Sequence, residues 1–504
     1  MYVIGIDLGT SGTKTVLFDT MGKVIASKTV EYPMYQPQNG WAEQEPLDWW
    51  NATVTGIKGV IAGIDPSEIV SIGLSGQMHG LVMLDENNKV LRKSIIWCDQ
   101  RTTKECEEIE SKIGKARLIE ITANPALTGF TASKILWVRN NEPEIWEKCA
   151  HILLPKDYVR FMLTNEYATE VSDASGMQLL DVKNRCWSKE VLEKLEIPEA
   201  MLGKMYESAE VTGHITKEIA ELTGLKEGTI VVGGAGDNAA AAVGMGVVEN
   251  GKAFTTIGTS GVVFMHTDEP LIDSKGRVHT FCCAVPGKWH VMGVTQGAGL
   301  SLKWFRDNFC EEIKLQAEKE GVDPYYIMDK MAEESPIGAE RLLFLPYLMG
   351  ERTPHLDADC RGVFFGISGM HQKKDFIRAV MEGVSFSLMD CLSVFGEMGV
   401  APTEMLACGG GGSSKLWRKM LSDIYNTEIF TIKSKEGPAL GVAILAMVGA
   451  GIYGSVEEAC KACIEKATVT EPAADNHEKY MSFYELYKSL YPVLKESYKA
   501  LAAK

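Results

Sequence analysis

The spacing of apolar and polar positions predicts an α/β protein. "YVIGID" at the start and "KTVLFD" shortly after it are apolar, β-branched runs separated by a turn of Gly, Thr and Ser, which predicts a hairpin. "EIVSIGLSG" and "TIVVGGAGDN" predict buried strands that end in glycine loops. Trp50, Val54, Ile57, Ile61 and Ile64 recur at helical spacing and predict one helix with a single buried face. "RLLFLPYLMGERTPH" runs from a strand into a proline-bearing loop. "EMLACGGGGSSKLWRKMLSDIYN" predicts a strand, a glycine turn, a serine cap and a helix with Trp417, Met420, Leu421 and Ile424 inward. "EKYMSFYELYKSLYPVLKESYKAL" predicts a terminal amphipathic helix. Strands alternating with helices in this way define the α/β class.

One string recurs. "GTSG" occupies Gly9 to Gly12 and again Gly258 to Gly261, in "AFTTIGTSGVVFMH", and the two copies begin 249 residues apart, close to half of the chain. Both are flanked by strand-like runs, which predicts two related domains that each open on a hairpin with a small-residue tip. No long linker separates them, so the boundary is expected near "GMGVVENGKAF", dividing the chain into 1–247 and 248–504. A chain of 504 residues suits two large domains or about three smaller ones.

Composition narrows the partners. A net charge of -16 argues against a nucleic-acid surface, which needs a basic stripe, but leaves room for a nucleotide, which needs only a few local donors. No apolar run approaches the length of a bilayer span and no signal peptide precedes the first strand, so a soluble, cytoplasmic protein with no membrane partner is expected. The twelve cysteines include "CC" at Cys282 and a lone "CKAC" at Cys460. Without the second pair that a zinc ribbon requires, they read as structural thiols.

The first hairpin tip, "GTSGTKT", imitates a phosphate-binding P-loop but fails its spacing, because Gly9 and Gly12 are only three apart and a strand follows. Successive amides in a tight turn still form an anion-holding nest, so the tip is either that or an ordinary hairpin. Asp7 and Asp237 each end a strand beside a glycine loop, where ligands of open α/β sheets bind. For Asp237 the competing role is a cap on the following "NAAAAVG" helix. His79 lies in "SGQMHG", a loop rich in donors and glycine, near "IIWCDQRT". The tetrad in "CGGGGSSK" lets a flat ring or a phosphate approach backbone, although such turns also serve packing alone.

Taken in order, "GIDLGTSGTK", "SGQMHG", "WCDQR", "LLPKDY", "GAGDNAAAAVG", "IGTSG", "LPYLMGERTPH", "ACGGGGSSKLWRKMLSD" and "GPALGVAILA" resemble the FGGY family of carbohydrate kinases over nearly the whole chain. The resemblance implies two duplicated actin-like (ribonuclease H-like) domains, with ATP and a small-molecule sugar in the cleft between them; a homodimer is compatible with it. It implies that Asp7 holds Mg2+, that Thr10, Ser11, Thr13 and Lys14 approach the ATP phosphates, and that Gly258 and Thr259 receive them from the other domain. Gly410 and Gly411 would lie against adenosine. Met78, His79, Asp237 and Asn238 would bind the sugar, with Asp237 as general base. The "QMHG" loop points to D-xylulose, phosphorylated to D-xylulose 5-phosphate, ahead of ribulose, another ketose or a polyol. Cys98, where many relatives carry asparagine, and "TQGAGLSLKW" depart from the pattern and leave the sugar less settled than the reaction. An ATP-driven binding protein of the actin or heat-shock type would share the clamp but has no need of Asp237, and a sugar-responsive regulator would need a DNA-binding module.

Overall fold

The computed structural model describes residues 1–504 and contains two mixed sheets of seven strands. The first is built from β1 (Tyr2–Leu8), β2 (Gly12–Asp19), β3 (Val24–Glu31), β4 (Ile69–Gly76), β5 (Val211–His214), β6 (Ile230–Val232) and β7 (Ala235–Gly236). Their spatial order is β5-β6-β4-β1-β2-β3, with β7 parallel to the end of β4. The second contains β8 (Lys252–Ile257), β9 (Gly261–Thr267), β10 (His279–Cys282), β11 (Trp289–Thr295), β12 (Glu404–Cys408), β13 (Ile429–Ile432) and β14 (Lys466–Thr470), in the order β10-β11-β9-β8-β12-β13-β14.

Six strands of each sheet match in order, leaving β7 of the first sheet and the edge strand β10 of the second without counterparts. Each sheet opens with three antiparallel strands, β1-β2-β3 and β8-β9-β11. A parallel neighbour follows on the other side, β4 or β12, then a second parallel strand, β6 or β13, then an antiparallel edge, β5 or β14. The repeated "GTSG" therefore marks equivalent turns of a duplicated fold, as expected from the sequence.

Helices cover these sheets where their apolar faces dictate. α1 (Pro46–Val60), which starts on a proline as helices favour, buries Trp49, Trp50, Ile57 and Val60. It stops short of the predicted stripe: Ile61 is its C-terminal flank and Ile64 lies in a turn, because Gly63 (φ 79) reverses the chain. α2 (Asp237–Gly244) begins one residue after β7. α3 (Lys373–Glu397) is long and apolar enough to cross a bilayer, but 78% of its apolar window is buried, as the central helix of the second core. α4 (Lys415–Tyr425) is capped by Ser414 and buries Trp417, Met420, Leu421 and Ile424, as predicted.

α5 (Gly437–Gly449) crosses between the halves. It lies between β13 and β14 of the second sheet in sequence yet packs on β1 and β4, and the Ser71 hydroxyl donates to its Ala446 carbonyl at 2.8 Å. Glycines clear the way. A Cβ placed on Gly5 or Gly73 would lie 2.0 Å from the carbonyl oxygens of Ala439 and Val442. A Cβ on Gly441 would lie 1.8 Å from the Ala240 carbonyl in α2, so the two helices touch backbone to backbone. One core thus joins Val3, Val16, Phe18 and Val232 to Leu440, Val442 and Ile444. α6 (Ala474–Ala502) closes the second core with Tyr480, Tyr484, Tyr487 and Tyr491.

Candidate active site

Both hairpin tips present unpaired amides. In the first, Gly9 N donates to Gly12 O at 3.0 Å, while the Gly9, Thr10 and Ser11 carbonyls accept from Tyr32 Oη, Gln44 Nε2 and Tyr32 N. In the second, Gly258 N donates to Ser260 O, and the Gly258 and Thr259 carbonyls accept from Gly299 N at 2.7 Å and Leu300 N at 3.1 Å. The carbonyls are committed to protein, whereas the N–H groups of Thr10, Ser11, Thr259 and Ser260 donate to no protein acceptor. Each tip thus offers a pair of adjacent free backbone donors, as an anion nest requires. Thr13, in contrast, lies beneath the tip. Strand alternation turns it inward, fully buried, with its hydroxyl donating to Tyr32 Oη at 3.4 Å. Lys14 points the other way and is held 2.5 Å from Glu436, in the loop that leads into α5.

The two aspartates lie along the carboxyl edge of the first sheet. Asp7 is opposite Ser75 in the β1–β4 ladder, and Ala235 is opposite Ser75 from the other side. Asp237 follows two residues later, so about two strand spacings, roughly 10 Å, separate its backbone from that of Asp7. Asn238 gives both its backbone N (2.7 Å) and its Nδ2 (3.0 Å) to Asp237 Oδ1, while Oδ2 accepts nothing from the protein. Gly236 stands at the cap position of α2 and Asp237 is its first residue, and the only helix amide that the carboxylate accepts is that of its neighbour Asn238. Burial, then the nearby Asp7 charge, push its carboxyl up to about 6 against the pull of the Asn238 donors. Asp7 is also raised by burial, with the Ser75 hydroxyl and Lys14 pulling it back.

Met78 and His79 enter beside these carboxylates. Met78 packs on Gly236, directly before Asp237. His79 adopts φ 69 and its Nδ1 is 2.8 Å from the Gly176 carbonyl. A carbonyl only accepts, so Nδ1 carries the hydrogen, and Nε2 is left as an acceptor. Burial, with Lys134 and Arg352 nearby, holds the ring neutral, with its pKa pushed down to about 3. Lys134 pins the loop from below by donating to the His79 carbonyl at 2.9 Å and to the Gly129 carbonyl at 2.6 Å.

Several site residues arrive from positions to which the sequence assigns no role. The His79 ring lies 4.7 Å from Phe130 and 6.4 Å from Phe281, and Phe130 lies 5.9 Å from His279. Phe281 and His279 belong to β10, so the second half supplies one wall of this pocket. Burial and the positive charge of Arg352 hold His279 neutral too, and its Nδ1 is 2.7 Å from Asn124 Oδ1 across the two halves. The Arg352 guanidinium, in the "ERTPH" loop, makes no hydrogen bond or ion pair with protein.

A cavity of about 610 Å³ adjoins the second tip. Ile257, Gly258 and Thr259 line one end; Gly410, Gly411 and Trp417 line the other; Lys303, Tyr325, Tyr326 and Asp329 form the sides. Glycine at 411 is required by proximity, because a Cβ there would lie 2.5 Å from Ile257 Cγ2 and 3.1 Å from Trp417. Open backbone, flat aromatic walls and an adjoining anion nest suit a purine nucleotide with a phosphate chain. Of the residues that the sequence nominates, Gly258, Thr259, Gly410 and Gly411 meet here, while Asp7, Thr10, Ser11, Met78, His79, Asp237 and Asn238 gather at the first sheet's edge.

The model of the FGGY family of carbohydrate kinases, N-terminal domain, matches residues 2–244, and that of the C-terminal domain matches residues 253–450. The chain is similar to the xylulose kinase of Bacillus subtilis (strain 168), 41% identical over 99% of this chain and 98% of that one. The solved structure of a xyloylose kinase from Brucella ovis is 36% identical with a TM-score of 0.90, covering 98% of this chain and 100% of that one. A gluconate kinase from Lactobacillus acidophilus is 29% identical with a TM-score of 0.92, covering 99% of both chains.

Proposed function

We infer the reaction from one premise, that the chain belongs to the FGGY family of carbohydrate kinases. It is a sugar kinase, and we propose that it transfers the terminal phosphoryl group of ATP to D-xylulose, forming D-xylulose 5-phosphate. The observation that carries this most is Asp237, whose free Oδ2 stands at the strand edge between the sugar loop and Asp7.

Asp237 takes the proton of the attacking sugar hydroxyl. With its pKa near 6 it is mostly ionised at pH 7 yet basic enough to accept that proton, and such a group contributes about 10² to 10⁴ in rate. His79 Nε2 accepts from a sugar hydroxyl, and Asn238 and Met78 complete that wall. The free amides of Thr10 and Ser11 hold phosphate oxygens from one side, those of Thr259 and Ser260 from the other, and Lys14 exchanges Glu436 for phosphate. The Asp7 carboxylate has only the Ser75 hydroxyl and the more distant Lys14 charge to offset its burial and forms no ion pair, so it would serve as a protein ligand to a hydrated Mg2+. Bound there, Mg2+ neutralises charge on the phosphates. Gly410 and Gly411 receive the adenosine. The two lobes divide at residues 247 and 248.

Two measurements test these roles. Below pH 6, kcat/KM is expected to fall tenfold per pH unit as Asp237 takes up a proton, and to level off above it; a flat profile from pH 5 to 8 removes Asp237 as the base. Gly411→Val, which drives a branched side chain against Ile257, is expected to weaken ADP binding at least tenfold by calorimetry while leaving sugar binding intact. The reaction itself is checked by coupled ADP release with magnesium ATP and a panel of D-xylulose, D-ribulose, gluconate and polyols. Equal ADP release with and without every sugar overturns it, because water would then be as good an acceptor as any sugar. Preferred turnover of gluconate would instead assign the free Arg352 guanidinium to a substrate carboxylate.

A further inference from the structure

Behind the first hairpin tip three polar side chains close a ring. The Thr10 hydroxyl donates to Gln77 Oε1 at 3.4 Å, Gln77 Nε2 donates to Gln44 Oε1 at 2.7 Å, and Gln44 Nε2 donates to the Thr10 carbonyl at 2.7 Å. Each donor faces an acceptor, so both amide orientations are determined by the ring itself. Two tryptophans add donors to it: the buried Trp49 Nε1 donates to Gln44 Oε1 at 3.2 Å, and Trp97, half exposed at the rim, donates its Nε1 hydrogen to Thr10 Oγ1 at 2.9 Å. Gln44 is fully buried and Gln77 is 2% exposed, so water does not replace these partners. The Gln77 backbone N also donates to Leu8 O at 2.9 Å.

The ring joins two segments with different tasks. Thr10 belongs to the anion nest, whereas Gln77 immediately precedes Met78 and His79. We propose that Gln77 and Gln44 are positioning residues, which hold the sugar loop and the first phosphate hairpin at one separation so that the attacking hydroxyl meets the transferred phosphorus. Both side chains commit their amide groups to the ring. The proposal rests on the kinase reaction above and adds to it the device that aligns its two substrates. A misplacement of about 1 Å costs roughly 10²-fold in rate, so a ring of this kind acts on kcat and leaves each separate affinity nearly intact.

The test uses Gln77→Met, which keeps volume and removes both bonds, and Gln44→Glu, which keeps the acceptor for Gln77 and Trp49 but removes the donor to Thr10. Sugar phosphorylation and the slow, sugar-independent hydrolysis of ATP are measured for each variant, with thermal melting to establish folding. The expected result is a 10- to 100-fold lower kcat for sugar, KM values within about threefold of the parent, and unchanged hydrolysis. The double variant is expected to lose no more than the worse single one, as members of one unit do. A kcat within twofold of the parent in a folded variant overturns the proposal, as does an equal loss of hydrolysis, which would mean that the hairpin itself is damaged. Should Gln77→Met not fold, Gln44→Glu decides alone. If the parent enzyme phosphorylates no sugar, the reaction assignment fails instead, and the two failures are distinguished by that single control.

Discussion

Asp237→Asn is expected to lower kcat by about 10²- to 10⁴-fold while raising the melting temperature at pH 8. The two effects share one origin. Burial and the Asp7 charge make ionised Asp237 unfavourable, so its carboxyl binds a proton more tightly folded than unfolded. The sign follows from linkage: a folded pKa above the unfolded one favours folding at low pH, and that contribution is lost as the pH rises from about 4 through about 6. At pH 8 the charged side chain therefore costs stability on the order of 2 kcal/mol, which asparagine removes. Below pH 4 parent and variant should melt alike. Calorimetry at pH 4 and pH 8, beside the coupled assay, checks both halves; a variant that loses activity and stability together would mean that Asp237 supports the fold instead.

Gly441→Val is expected to destabilise the protein by about 3 kcal/mol or more, enough to remove most soluble product on expression. The Cβ at that position would lie 1.8 Å from the Ala240 carbonyl, and backbone on both sides has nowhere to move, because α5 rests on glycine-cleared strands. Gly437→Ala is the control in the same helix. No atom lies within 4 Å of a Cβ at that position, so the melting temperature is expected to stay the same or rise slightly. Comparable melting of the two variants would contradict the backbone contact between α2 and α5.

The duplication was legible because a tip that exposes amides requires small residues, and the same requirement met twice leaves the same string. The positions of Asp7 and Asp237 at strand ends beside glycine were legible from the apolar runs that precede them, whereas their role was suggested only by the family resemblance. The Gln44, Thr10 and Gln77 ring was not. Glutamine carries no periodic signal, and its partners are brought together by three separate segments. Arg352, His279 and Phe281 likewise reach His79 only through tertiary folding. Thr13 differs from what the family resemblance implies: strand alternation turns its hydroxyl inward, beneath the tip. "GPALGVAILA" announces an element apolar on all sides, hence buried, but nothing in it says under which sheet.

That placement sets the order of events when the chain is made. The face of the first sheet that carries Val3 and Val16 is complete only after the entire second sheet up to β13 has been synthesised, since its cover is α5. At ribosomal rates of about 5–20 residues per second, the N-terminal lobe waits roughly 10–40 s between its own completion and that of α5. For that interval its apolar strands lack their cover, and a chain truncated before residue 437 is expected to aggregate where the full chain stays dispersed.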